Sequence, residues 1–184
     1  AHRKPFVLKR TLLVYNIAMC AINCYFFARL MLEYRKSFSR MFDMNFPSYD
    51  ERSEWHWSII SDNYFFVISK YIDLLDTVFF VLRKKDNQAS FLHVYHHSTV
   101  TLTCWIHFRL NAAFVVTGYH FILWNSLVHT VMYAYYGLAV FGPVVQTYLW
   151  WKRYLTQLQI VQFISIFVHG LAFCVLQQGY SVFF

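Results

Sequence analysis

Five long apolar stretches leave this chain few ways to fold: Thr11 to Leu32, Trp57 to Leu82, Phe91 to Phe108, Ala112 to Phe141 and Tyr154 to Leu176. Each is at or near the roughly 20 residues a helix needs to cross a hydrocarbon core. Apolar residues make up 58% of the sequence and charged residues 14%, against about 25% charged in soluble domains. A soluble core of this size cannot hide so much apolar surface, whereas a bilayer solvates it. In lipid the backbone must satisfy its own hydrogen bonds, so the stretches are predicted to be helices. The expected fold class is all-α: a polytopic membrane bundle of about five transmembrane helices, one embedded domain over residues 1–184.

The basic residues orient the spans. Arg3, Lys4, Lys9 and Arg10 precede the first, Arg83, Lys84 and Lys85 follow the second, and Lys152 and Arg153 precede the fifth. With alternating crossings all of these share one face, which the positive-inside rule makes cytosolic. On the other face Arg29, Arg35, Lys36, Arg40, Arg52 and Arg109 are offset by Glu33, Asp43, Asp50, Glu51, Glu54 and Asp62. The net charge of +7 sits in short loops between spans. It therefore points to anionic lipid or phosphate-bearing ligands, and no nucleic-acid partner is expected. Cys20, Cys24, Cys104 and Cys174 lie inside spans without CxxC spacing and read as small apolar residues, not a disulfide or metal framework.

The connections carry further expectations. The long one, about residues 33–56, contains Pro47, is rich in aromatics and is expected at the membrane surface, partly as an amphipathic segment. The connection around Arg109 to Asn111 is short, which makes the third and fourth spans antiparallel neighbours. Gly137, Gly142 and Pro143 are expected to break the chain before the fifth span. The sequence opens without Met and closes in GYSVFF, where another hydrophobic element begins, so it reads as a fragment truncated at both ends.

Ionisable groups inside membrane helices cost about 2.5 to 3.5 kcal/mol each on insertion scales, so each needs a partner or a task. Lys70, Asp73 and Asp76 share one side of the second span, and Lys70 is placed to pair with Asp73 one turn on. A structural ion pair and a catalytic role both fit. Asp76 has no local partner and is expected to reach another helix. His93, His96 and His97 open the third span as HVYHH, on one helical face. Three imidazoles within five residues near a membrane surface point to function, with His96 and His97 ahead of His93. Asn125, His129 and Tyr133 form a stripe on the fourth span, and Thr156, Gln159 and Gln162 another on the fifth. Interhelical hydrogen bonding competes with function for both stripes.

Depth ties these groups together. At about 1.5 Å per residue, Asp76 lies about 9 Å and Asp73 about 14 Å from the cytosolic end. His96 and Gln159 lie about 8 Å in, Gln162 about 12 Å and His129 roughly 10 to 18 Å. Four helices thus place polar groups in one layer, a buried site opening toward the cytosol. His2 and His56 are expected in loops, His107 near the opposite surface, and His120 and His169 isolated on apolar helices, each with a surface, packing or interfacial role.

Two membrane enzyme classes carry HxxHH. The di-iron desaturases and hydroxylases resemble this chain in that motif alone, and their two irons need about eight histidines in three boxes. A single metal site or a non-enzymatic membrane bundle are the other readings the residues leave open. The very-long-chain fatty acid elongase family resembles it over nearly the whole length. KYIDLLDTVFFVLRKK from Lys70 is similar to the family's KxxExxDTxFFxxRK segment, and FLHVYHH follows at the family's spacing. NSLVHTVMYAYYG at 125–137, YLWWKRYLTQLQIVQF at 148–163, RKPF at 3–6 and VYN at 14–16 match further family segments. Two departures stand out: Asp73 where the family usually has Glu, and Asn111-Ala112-Ala113 in place of a glycine-rich turn.

The resemblance implies a seven-helix protein of the endoplasmic reticulum membrane, of which this chain supplies helices two to six around a narrow acyl tunnel. It implies a 3-oxoacyl-CoA synthase that condenses acyl-CoA with malonyl-CoA without a metal or other cofactor. His96 matches the family's nucleophile, which becomes an acyl-imidazole, and His129 its partner. His93 and His97 would orient or deprotonate the site, with Asp73 or Asp76 fixing a tautomer. Lys70 and Tyr133 support it, while Asn125, Gln159 and Gln162 would donate to the developing oxyanion or enolate. Lys84, Lys85, Lys152 and Arg153 would hold CoA phosphates at the cytosolic mouth. Expected partners are the two CoA substrates, the bilayer and other enzymes of the elongation cycle, with a homodimer among the open assemblies. HVYHH, in place of a Trp-containing box, implies longer or polyunsaturated acyl chains.

Overall fold

Helices are the sole regular structure among the described residues of the computed structural model, which are 4–36, 50, 53–110 and 115–176. They are α1 (Lys9–Lys36), α2 (Glu54–Asp73), α3 (Leu75–Leu82), α4 (Phe91–Leu110), α5 (Val115–Ala139), α6 (Pro143–Gln146) and α7 (Lys152–Leu176). The all-α class and the positions of the long helices agree with the sequence reading. Pro47 and the 111–113 turn lie outside the described residues, as does most of the long connection.

The bundle is apolar outside and partly polar inside. Phe65, Ile68 and Tyr71 on α2, Leu102 and Trp105 on α4, and Ile164, Phe167 and Leu171 on α7 face outward, whereas Asn16, Asn23, Lys70, Asp73, Asn125 and His129 are buried. In water such outer faces would be penalised at about 25 cal/mol per Å²; against lipid they are not. Two helices, across Lys9–Glu33 and Lys152–Ala172, are long and apolar enough to span a membrane by length and composition, with mean hydropathy 1.6 and 1.4. The other long helices are less apolar by the same measure, with Lys70 and Asp73 on α2, His93, His96 and His97 on α4, and Asn125 and His129 on α5.

Named contacts give the directions of the helices. Phe26 of α1 packs on Phe66 of α2 at 5.6 Å, and Arg29 Nη2 donates to Ser58 Oγ at 2.7 Å, so α1 and α2 are antiparallel. Thr101 Oγ1 donates to Lys70 O at 3.3 Å while His93 meets Thr77, so α4 opposes α2 and α3. Lys70 meets Asn125 and Asp76 meets Tyr133, so α2 and α3 run with α5. Tyr135 packs on Trp151 at 5.3 Å and His120 on His169 at 4.3 Å, which sets α7 against α5. The ends of α3 and α5 and the start of α7 therefore lie at one end of the bundle. There Phe6 N–H donates to Leu82 O at 3.0 Å.

Four expectations need correction. The second span is not one helix: it breaks at Leu74, where Leu74 N–H donates to Tyr71 O (3.3 Å) and Thr77 N–H to Leu74 O (3.2 Å), the tighter i to i−3 step. No Pro or Gly announces that break. Gly137 does not end the fourth span but lies within α5, where a Cβ would stand 3.6 Å from Asn16 Cβ of α1. The turn comes at Gly142, whose φ of +101° suits glycine, with Pro143 opening α6. His56 lies in the first turn of α2, not in a loop, and its Nδ1 accepts the Ser53 N–H at 3.1 Å. His120 and His169 are not isolated; their rings stack within 9° of parallel, and His120 Nε2 lies 2.9 Å from Ser165 Oγ.

Candidate active site

The break at Leu74 falls between Asp73 and Asp76, and both face α5. Lys70 Nζ lies 2.8 Å from Asp73 Oδ2 and donates to Asn125 Oδ1 at 2.9 Å. The Tyr133 hydroxyl lies 2.9 Å from Asp73 Oδ1 and 2.7 Å from Asp76 Oδ2. His129 Nδ1 stands 3.5 Å from Asp73 Oδ2, beyond a well-formed hydrogen bond, and has no hydrogen-bond partner among the described residues. The Lys70 and Asp73 side chains are 2% and 3% exposed, so their charges act on each other through a low-dielectric surrounding. Lys70–Asn125, Asp73–His129 and Asp76–Tyr133 thus match turn for turn, because two helices running the same way keep i, i+3 and i, i+4 steps in register.

The histidine box lies on α4 beside this cluster and is less uniform than its spacing suggests. His93 Nε2 bonds Thr77 Oγ1 at 3.1 Å, and its ring packs on Phe80 at 5.0 Å, so it is tied to α3. His97 sits 4.3 Å from His93 and 5.7 Å from His96, ring centre to ring centre. His96 turns toward α7, 5.9 Å from Phe163. Lys70 and Asp73 act electrostatically on His96, His97 and His129 alike, and His96 and His97 act on His129.

On α7 Gln162 is buried, Gln159 half-buried and Thr156 exposed, so that stripe faces inward at its deeper end alone. The four basic residues proposed for phosphates stay outside the cluster, at the end of the bundle where α3 closes and α7 opens. Lys84 takes a left-handed φ of 53° in a Schellman-type cap, with Lys84 N–H to Val81 O at 3.1 Å and Lys85 N–H to Phe80 O at 2.9 Å. Lys152 and Lys85 are exposed. Arg153 lies 4.8 Å over the Tyr154 ring and donates to its hydroxyl at 2.9 Å.

Two residues not singled out from the sequence brace the break. Tyr15 of α1 donates to Ile72 O at 3.2 Å, and Thr101 of α4 donates to Lys70 O. Carbonyls near a helix end lack intrahelical partners, and apolar surroundings make that expensive. Tyr15 lay within the VYN segment, yet nothing in its spacing distinguished it from any apolar-face tyrosine.

The GNS1/SUR4 family model, designated ELO, matches residues 1–182. The chain is 42% identical over 164 residues to very long chain fatty acid elongase 4 of Homo sapiens, covering 88% of this chain and 50% of that protein. It is 39% identical over 170 residues to very long chain fatty acid elongase 1 of Homo sapiens, covering 92% of this chain and 59% of that one. With very long chain fatty acid elongase 7 of Rattus norvegicus the identity is 40% over 169 residues, 91% of this chain and 58% of the relative. The chain thus spans between half and three-fifths of the length of these relatives. With nearly all of its residues matched, from a basic start through the second-span acidic cluster to α7, this chain belongs to the ELO (GNS1/SUR4) family.

Proposed function

We propose that this chain carries the condensing site of a fatty acid elongase, joining a long-chain acyl-CoA to malonyl-CoA to give a 3-oxoacyl-CoA. The single observation that carries the reading is the meeting of Lys70, Asp73 and Asp76 with Asn125, His129 and Tyr133 beside the α4 histidines, in a chain of this family. In the first half-reaction the His96 imidazole attacks the acyl carbonyl and the carbon–sulfur bond breaks. The proton of the imidazole leaves with CoA as its thiol. In the second, malonyl-CoA loses carbon dioxide, and the resulting enolate attacks the acyl-imidazole. The carbon–nitrogen bond breaks, and the imidazole regains a proton. Splitting the reaction this way replaces one difficult step by two easier ones.

His129 is the partner imidazole, facing Asp73 across 3.5 Å, and His93 and His97 orient the box. Asn125 uses its carbonyl oxygen for Lys70, which leaves its amide to donate to an oxyanion; Gln159 and Gln162 approach from α7. Lys84, Lys85, Lys152 and Arg153 receive the CoA phosphates. The reading places the protein in the endoplasmic reticulum membrane as a multi-pass enzyme opening to the cytosol, with the bilayer and the later enzymes of the cycle as partners. The test is intact-mass analysis of purified full-length protein given a long-chain acyl-CoA in EDTA. An acyl addition lost in His96→Ala is the expected result. Turnover that stops on iron removal would instead favour the di-iron alternative, which family membership does not support.

A further inference from the structure

The Tyr133 hydroxyl has one hydrogen and two short contacts, 2.7 Å to Asp76 Oδ2 and 2.9 Å to Asp73 Oδ1. Both lie within the distances of formed O–H···O bonds, so each line holds a hydrogen. A single hydrogen shared between two acceptors would lengthen at least one arm. Tyr15 cannot fill either line, because its hydroxyl is directed at Ile72 O (3.2 Å) and the Tyr133 oxygen (3.5 Å). Ionised carboxylates are acceptors alone, so one of the two carboxyls carries the missing hydrogen. Lys70 decides which: its ammonium lies 2.8 Å from Asp73, and His129 faces Asp73 as well. Asp76 has no cation within ion-pair distance among the described residues, and it faces Tyr133 and Tyr15, with Asp73 one turn back.

We propose that Asp76 is a carboxylic acid in the resting protein, and that it supplies the proton consumed in the condensation half-reaction through Tyr133, Asp73 and His129. The second part rests on the acyl-imidazole reading given above. Written with all atoms, acyl-CoA, malonyl-CoA and one proton give 3-oxoacyl-CoA, carbon dioxide and CoA. Acylation is balanced by itself, since the proton of His96 leaves on the thiol. Discharge is not: breaking the carbon–nitrogen bond leaves the His96 ring nitrogen with a pair that must take a proton. His129 gives it one. Asp73 hands a proton to His129 across the 3.5 Å contact, Tyr133 hands its hydrogen to Asp73, and Asp76 hands its own to Tyr133. Asp76 ends as carboxylate and is reprotonated from water before the next cycle.

The test uses full-length protein in nanodiscs. Infrared spectroscopy should show the carbonyl stretch of a protonated carboxylic acid, shifted in D2O, absent in Asp76→Asn and retained in Asp73→Asn. Tyr133→Phe should keep the band but move it, which preserves the test should Asp76→Asn fail to fold. No such band in the parent protein, or one lost in Asp73→Asn instead, overturns the proposal. Rapid-quench mass analysis then compares formation of the acyl adduct with its discharge by malonyl-CoA. In Asp76→Asn discharge should slow at least about tenfold more than formation, less than the roughly 10²–10⁴ of a direct general acid because Asp76 acts through Tyr133, Asp73 and His129. Equal slowing of both overturns proton delivery. If the parent protein forms no adduct, the acyl-imidazole reading fails and takes delivery with it, while the infrared result still decides where the proton sits.

Discussion

The Tyr15 hydroxyl donates to the backbone carbonyl of Ile72 over 3.2 Å, bracing the second span from the first at the turn where it breaks. The Tyr15 ring meets Phe79 edge-on at 5.1 Å and Tyr133 at 5.9 Å. One residue of α1 thus touches the break and the phenol that spans both carboxyls.

Tyr15→Phe keeps those ring contacts and removes the donor. An unsatisfied carbonyl in apolar surroundings costs about 1 to 3 kcal/mol. The variant should therefore melt lower in detergent and turn over several-fold more slowly. Thr101→Val, which removes the bond to Lys70 O, should act in the same direction. An unchanged melting temperature in both would show that the break needs no brace.

Lys70→Met leaves the Asp73 carboxylate buried without its cation, and breaking a buried pair from one side costs about 3 to 5 kcal/mol. Joining it to Asp73→Asn should recover part of that loss, giving a coupling above about 1 kcal/mol in a double-mutant cycle. Simple additivity in denaturant titration would mean the two charges are held apart by water.

His93 is anchored by Thr77 and Phe80, whereas His96 and His97 have no side-chain hydrogen bond among the described residues. His93 is thus a positioning residue. His93→Ala and Thr77→Val should lower kcat by similar factors, and the double variant should fall little further, since both remove one contact. His96→Ala should lose at least about a hundredfold more activity, as loss of a nucleophile does. Equal losses at His93 and His96, measured by product formation, would return both to the same role.

Lys84 adopts a backbone conformation that glycine takes at no steric expense. Lys84→Gly should therefore hold or raise the melting temperature, by at most about 1 kcal/mol of stability. It should also raise KM for acyl-CoA and flatten the dependence of KM on salt. A lower KM would remove Lys84 from the phosphate site.

Composition and span length determine that the chain is a helical membrane bundle, because the length of an apolar run and its solvent are local properties. The i, i+3 and i, i+4 spacing likewise shows that Lys70, Asp73 and Asp76 share a face, as do Asn125, His129 and Tyr133, since helical geometry alone fixes them. What spacing cannot carry is the partner of each face. That Lys70 meets Asn125, that Tyr133 spans both carboxyls, and that Tyr15 seals the break at Leu74 depend on how far each helix slides and turns against its neighbours. Packing of whole side-chain surfaces sets that slide, and it is a property of the pair of helices and not of either sequence. The broken second span illustrates the point: with no Pro or Gly to mark it, the interruption exists because hydroxyls from α1 and α4 stand ready for the Ile72 and Lys70 carbonyls just before it.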